Sequence, residues 1–154
     1  MAKIDNTTLP RTTGSGYPPP FDQPCRQRLR QALGDAAGLT DFGVNLLTLA
    51  PGAWSSQRHW HTAEDEFVYV LSGEVVLIDD AGEKILRARD CAAFPKGDGN
   101  GHHLVNKSGT PAICLEVGTR LDDDDFCSYP DIDMQIDGKV GEFAHRDGTL
   151  YPKR

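Results

Sequence analysis

The sequence predicts an all-β, antiparallel domain, a sandwich or barrel. Two observations point there. Short apolar runs punctuated by turn signals follow one another closely through the middle of the chain, and no long helical period separates them. Sixteen glycines and ten prolines beside a hydrophobic content of 38% suit many turns and short strands better than a helical bundle. At 154 residues the chain is read as one domain.

In order, residues 1–24 read as an extended arm, since "GYPPPF" excludes helix and favours polyproline II. Such an arm either frays or lies against a partner subunit. The remainder, 25–154, is the folded domain, with its core at about 42–120. From Cys25 to Leu33 apolar residues are too sparse for a buried helix, and "GDAAGL" reads as a turn. Strand signals follow at "FGVNLLTLA" (42–50), then at "FVYVL" (67–71) and "EVVLID" (74–79), which flank the hairpin pair Ser72-Gly73. "DDAG" turns the chain into "KILRA", "CAAF" (91–94) enters the loop "PKGDGNG", and "HHLVN" and "AICLEVGT" are separated by the turn "KSGTP". The run "DDDD" (122–125) reads as a solvated loop, lacking the spaced ligands of a calcium loop. The polar tail, with isolated aromatics, is expected to pack along the outside.

A net charge of −7 argues against nucleic acid or an anionic membrane as partner. "CRQRLRQ" is the one basic stretch, and a solvated face accounts for it. The first residues lack an apolar signal region, no segment approaches a membrane span, and Cys25, Cys91, Cys114 and Cys127 are scattered without a C-x-x-C pair. These features read as a cytoplasmic protein with reduced thiols.

The chemistry concentrates in two clusters. In the first, Pro51, Gly52, His59, His61, Glu66 and Gly73 follow the pattern P-G-x6-H-x-H-x4-E-x6-G. Residues two apart on a strand share a face, so His59 and His61 can aim at one point, with Glu66 entering from the next strand. In the second, Pro95, Gly97, His102 and Asn106 follow P-x-G-x4-H-x3-N. Three imidazoles and a carboxylate suit one divalent transition metal (iron, manganese, nickel, cobalt, copper or zinc) and not magnesium or calcium. His103 adjoins His102, but neighbouring strand residues face opposite ways, so His103 is read as turned from the pocket or lying at its rim. Glu64 and Asp65 read as a charged turn, His145 as a surface histidine, and Trp60 as core or sheet surface. Tyr69 and Gln57 are candidates for ligand contact at the mouth of the fold.

These residues resemble the cupin superfamily, whose motifs are G-x5-H-x-H-x3,4-E-x6-G and G-x5-P-x-G-x2-H-x3-N. Within it the sequence is similar to small single-domain bacterial cupins, including ones described as sugar-phosphate isomerases. Residues 52–106 cover both motifs. There are three departures: one extra residue between Gly52 and His59, Arg89 where the second motif opens with glycine, and two extra residues in "GDGNG". The resemblance implies a jelly-roll-like β-barrel (a double-stranded β-helix), with His59, His61, Glu66 and His102 as metal ligands and Glu66 also able to act as a base. It implies a metal-dependent enzyme acting on a small oxygen-rich metabolite, such as a sugar derivative or a hydroxy- or oxo-acid, by isomerase- or lyase-type Lewis-acid chemistry. A metal-dependent dioxygenase and a non-catalytic small-molecule-binding or regulatory cupin are the alternatives, because one fold hosts many functions. A homodimer is expected, as cupins often pair through an N-terminal strand.

Overall fold

The computed structural model describes residues 3–121 and 124–153, so half of the acidic run, Asp122 and Asp123, lies outside the described residues. The strands are β1 (Thr12–Thr13), β2 (Arg28–Ala32), β3 (Phe42–Leu49), β4 (Trp60–His61), β5 (Glu66–Ser72), β6 (Glu74–Asp79) and β7 (Gly82–Arg87). They continue with β8 (Cys91–Phe94), β9 (His103–Val105), β10 (Ala112–Thr119), β11 (Phe126–Tyr129), β12 (Met134–Asp137) and β13 (Phe143–Ala144). A single helical turn, α1 (Leu33–Ala36), follows β2. No described helix is long and apolar enough to cross a membrane.

Every pairing is antiparallel. One sheet has the order β1-β2-β3-β10-β5-β8, and the others are β13-β12-β11-β4 and β7-β6-β9. The two smaller sheets meet through the isolated bridges His59↔His102 and Trp54↔Val105, so together they form the second layer of a double-sheet fold. The expectation of a barrel is corrected here: among the described residues no sheet closes on itself. The ladder between the smaller sheets is interrupted physically. From the bond Ser55 N–H to Leu104 O to the His59–His102 pair, one chain advances four residues and the other two. That bulge bends the strand away from regular pairing.

Side-chain alternation places the core. On β3 the inward positions Gly43, Asn45, Leu47 and Leu49 are buried, while the outward ones are half-buried or exposed. Leu47 and Leu49 pack with Val68, Val70, Val75, Leu77, Leu104 and Cys114 at one end of the sandwich. The β5–β6 hairpin turns at Gly73, whose φ is 77° and where a Cβ would lie 2.8 Å from the Pro111 carbonyl oxygen, so only glycine fits. Arg89 takes the left-handed conformation itself, φ 85°, at the place where the family motif has glycine.

Three regions differ from the expectations. Residues 28–32, with no apolar signature, form a strand, because Arg28 and Arg30 face a polar cavity instead of a hydrophobic core. The arm folds back on its own chain. Thr12 and Thr13 pair with β2, and Tyr17 is buried against Tyr129 and Phe143. The tail does not lie outside the fold: β11, β12 and β13 belong to the second layer, and Tyr17, Cys25, Cys127, Tyr129 and Met134 build a second core.

Candidate metal centre

His59, Glu66 and His102 line a cavity of about 310 Å³ between the layers, and His61 stands beside them, 3.8 Å from Glu66 Oε2. β4 and the bulge before it bring in His59 and His61, the first residue of β5 supplies Glu66, and His102 stands just before β9. The Nε2 atoms of His59, His61 and His102 lie 3.6, 3.8 and 2.9 Å from one atom, Oε2 of Glu66. His59, Glu66 and His102 form a group whose donor atoms are mutually close enough to share an ion.

The opposite edges of the rings are held by different means. His59 Nδ1 faces the Gln57 carbonyl at 2.9 Å, and His61 Nδ1 faces Asp125 Oδ2 at 2.6 Å. The Gln57 carbonyl takes the His59 Nδ1 proton, which leaves the His59 Nε2 lone pair toward Glu66, and Asp125 accepts from His61 Nδ1–H and orients that ring. His102 donates Nε2–H to Glu66, and Phe94 stacks on it with ring centroids 3.5 Å apart and planes parallel. Its buried Nδ1 has no partner among the described residues. Two imidazole nitrogens and a carboxylate oxygen, from His59, His102 and Glu66, lie close enough to share a divalent transition ion, with His61 Nε2 beside them at 3.8 Å from the same carboxylate oxygen.

Electrostatics follows the same geometry. Burial lowers His59 to about 4. Burial also pulls His61 down, but Cys127, Glu66 and Asp125 outweigh it and raise the group to about 10. Glu66 is buried as well, yet the hydrogen bond from His102 and the surrounding imidazoles hold its carboxyl at about 2. It is therefore an anion, available to a cation.

Arg58 fixes the frame. Its guanidinium binds both carboxylate oxygens of Asp131, at 2.8 and 2.7 Å, the Gly101 carbonyl at 3.1 Å, and Asp80. One residue thus ties together the segment before His59, the loop before His102 and two hairpin turns. Asn106, fully buried, donates to the carbonyls of Leu49 and Thr110 and accepts from Ser108, closing the turn after β9. Its role in the motif is structural.

The other residues singled out in the sequence fall as follows. His103 turns to the Ser56 carbonyl at 3.0 Å and packs edge-on against Trp54. His145 bonds Asp133 at 2.8 Å and stacks on Tyr151. Tyr69 is corrected: it sits opposite Leu115 and Cys91 on the outward face, away from the cavity. Gln57 is corrected as well, for its side chain is buried and binds the Phe21 carbonyl at 2.7 Å, pinning the arm. Asp65 is a turn residue accepting the Lys96 N–H, but Glu64 is more than that. It lines the cavity and accepts the Leu121 N–H at 2.6 Å.

Three residues of the site escaped the sequence reading. Asp125 belongs to a run taken for solvated loop, yet it is 8% exposed and holds His61. Cys127 sits opposite His61 across β11 and β4, and its Sγ lies within 4.8 Å of donor nitrogens of His59 and His61. Glu116 lines the cavity from the middle of "AICLEVGT". The signal available was period-2 spacing, which sets Asp125 on one face with Cys127 and Tyr129 and Glu116 on one face with Cys114.

A double antiparallel sheet carrying this cluster defines a β-sandwich protein with a site suited to a divalent metal. Residues 45–118 match the Cupin domain family. The chain is 45% identical to a crystal structure described as a sugar phosphate isomerase from a cupin superfamily, from Silicibacter pomeroyi, with 98% of this chain and 97% of that one covered and a TM-score of 0.91. It is 30% identical to a putative sugar phosphate isomerase of Acidithiobacillus ferrooxidans, covering 82% of this chain and 81% of that one, with a TM-score of 0.72. The polyketide cyclase RemF of Streptomyces resistomycificus, 19% identical over 77% of this chain and 79% of that one at a TM-score of 0.62, shares the fold. No curated protein matches. The chain belongs to the cupin superfamily.

Proposed function

We propose that His59, His61, Glu66 and His102 hold one divalent transition metal, and that the chain is a metal-dependent enzyme of isomerase or lyase type. The observation that carries this reading is the meeting of three imidazole Nε2 atoms on Oε2 of Glu66. When bound, such an ion polarises a carbonyl or hydroxyl oxygen of a small oxygen-rich substrate, a sugar derivative or a hydroxy- or oxo-acid. The chain's own residues do the rest. The Gln57 carbonyl holds His59 in the ligating tautomer, Asp125 orients the His61 ring, Phe94 stacks on His102, and Arg58 holds the loops that carry them. The likeness to proteins described as sugar phosphate isomerases, together with Arg28 and Arg30 on the cavity wall, supports a phosphorylated sugar as substrate.

Metal analysis of protein purified without added ions tests the site. Wild type carries about one ion per chain, and His59→Ala/His61→Ala carries none; full retention in that variant rejects the assignment. Turnover of an aldose or ketose phosphate to its isomer supports the activity. Ligands that raise the melting temperature and are never consumed assign a binding protein instead.

Homodimerisation belongs to the same proposal. The outward face of the six-stranded sheet presents Val44, Leu46 and Leu115 half-buried and Phe67 and Leu71 exposed, an apolar surface that a second copy would cover. Light scattering at micromolar concentration should give twice the chain mass. The four free cysteines fit a reducing compartment such as the cytoplasm.

A further inference from the structure

The cavity has a second polar station opposite the histidines. Across β3, β10 and β5 the inward rung next to Glu66 reads Asn45, Glu116, Val68, while Glu66 itself lies on the rung of Gly43 and Gly118. Carboxylates on adjacent rungs of neighbouring strands stand about 7–8 Å apart at the backbone, room for a two-carbon unit between them. Glu116 lines the same cavity as Glu66, His59 and His102. Arg30 and Arg28 of β2 and Glu66 of β5 are the charged groups that act on its carboxyl. Its neighbour Asn45 is 7% exposed, and the Asn45 Oδ1 is buried with no partner among the described residues. A buried acceptor without a partner beside a carboxyl that faces the cavity points to a ligand that reaches both.

We propose that Glu116 is the proton-transfer group of this site, moving a proton between adjacent carbons of a hydroxy-aldehyde or hydroxy-ketone whose oxygens face the histidine cluster. The inference rests on the isomerase reading above and deepens it. The Glu116 carboxylate takes the C–H proton from the hydroxyl-bearing carbon, and that C–H electron pair becomes a carbon–carbon double bond. The carbonyl pair moves onto its oxygen, which takes the proton of the neighbouring hydroxyl. That second oxygen re-forms a carbonyl, and the double-bond pair takes the proton back from Glu116 at the adjacent carbon. One hydrogen has shifted between carbons, one between oxygens, and no oxidant or reductant is needed. The groups facing Glu116 are Arg28 and Arg30 from β2 and Glu66 from β5, with His59, His102 and His103 across the cavity. Burial raises the Glu116 carboxyl to about 7 against the pull of the two arginines, so both acid and base forms are present near neutral pH.

The test is deuterium wash-in. The full chain, carrying the metal it is purified with, is incubated in D2O with aldose and ketose phosphates of three to six carbons. Mass spectrometry then follows label at the carbon beside the carbonyl. Wild type exchanges; Glu116→Gln should exchange at least about 100-fold more slowly at unchanged metal content and melting temperature, with Glu116→Asp recovering part of the rate. A Glu116→Gln protein that exchanges at the wild-type rate overturns the assignment and leaves the isomerase reading standing. Loss of exchange only together with metal or fold, in both variants alike, makes Glu116 structural and also overturns it. A wild type that neither exchanges label nor isomerises any of these substrates overturns the isomerase reading and this inference together, and isomerisation that carries no solvent label at all overturns the Glu116 assignment alone.

Discussion

Removing the Asp125 carboxylate tests how the site is held. Its Oδ2 accepts from His61 Nδ1 at 2.6 Å, and its Oδ1 accepts from the Ala63 N–H at 2.8 Å and the Thr62 hydroxyl at 3.4 Å. In Asp125→Ala the His61 ring loses the acceptor that orients it, and a part-buried N–H on the turn after β4 loses its partner. Hydrogen bonds to a charged group contribute about 1.5–3 kcal/mol each, and a buried group left unsatisfied costs about 1–3 kcal/mol. Part of that is offset, because the desolvated carboxylate itself disappears. The expected folding loss is about 2 kcal/mol. Metal affinity should fall more distinctively, by about 10–100-fold, as for other partners that orient a ligating imidazole. Asp125→Asn keeps an acceptor oxygen at the same place and should lose no more than about 10-fold. The assay is a competition titration against a chelator of known affinity, run on variants shown to be folded by circular dichroism. Folded Asp125→Ala protein binding metal as tightly as wild type would refute the reasoning.

Three further outcomes follow from single features of the structure. In metal-free protein His59 is held at about 4, below its ordinary value of 6.5, so between these values the unfolded chain binds a proton that the folded one excludes. Stability is fully present above pH 6.5 and falls by about 2–3 kcal/mol as pH drops toward 4; urea unfolding of chelator-treated protein at pH 7 and pH 4.5 measures it, and a flat profile contradicts it. His61, raised instead, contributes in full below pH 6.5 and loses that contribution as pH climbs from there toward 10, so it offsets a small part of the difference at pH 7. Arg89→Gly should stabilise by about 0.5–1 kcal/mol, since the left-handed backbone at φ 85° strains any residue with a Cβ; a lower urea midpoint would show that the arginine side chain matters more than its backbone. Asn106→Ala should cost about 2–4 kcal/mol by stranding the Leu49 and Thr110 carbonyls, and a melting temperature within two or three degrees of wild type would deny the anchor role.

How legible each part was in the sequence depends on what its inward face meets. β3, β5, β6, β8 and β10 were readable because at least some of their inward residues are apolar and their turns carry Gly, Asp or Pro. β2 was not, since R-L-R-Q-A puts arginines toward a polar cavity and inverts the usual alternation. The tail escaped for another reason: its strands are two to four residues long, and its core is made of single aromatics and Met134 meeting Tyr17 from the arm, a pairing of residues far apart in the chain. In the site, the four clustered side chains were visible because the motif spacing is local. Asp125 and Glu116 were hidden, one inside a run of identical charges and the other inside an apolar strand. Their period-2 placement sets each on an inward face, but nothing in the sequence says that this face borders a cavity.

The same alternation explains why the site lies where it does. Along the inward side of β3 the residues run Leu49, Leu47, Asn45, Gly43, and along β10 they run Ala112, Cys114, Glu116, Gly118. The period of two is unbroken, but the chemistry changes halfway, from apolar groups to amide and carboxyl groups and then to glycine. The apolar half is filled by Val70, Val75 and Leu104 and supplies the packing. The polar half cannot be filled that way without stranding Asn45 and Glu116, so the layers stay apart there and a cavity remains. The glycine rung leaves space beside Glu66, and the bulge at Ser56–Arg58 delivers the histidines from the other layer. Site and core are therefore two ends of one sandwich. Replacing Glu116 by leucine should shrink the cavity and stabilise the fold, at the expense of whatever the cavity binds.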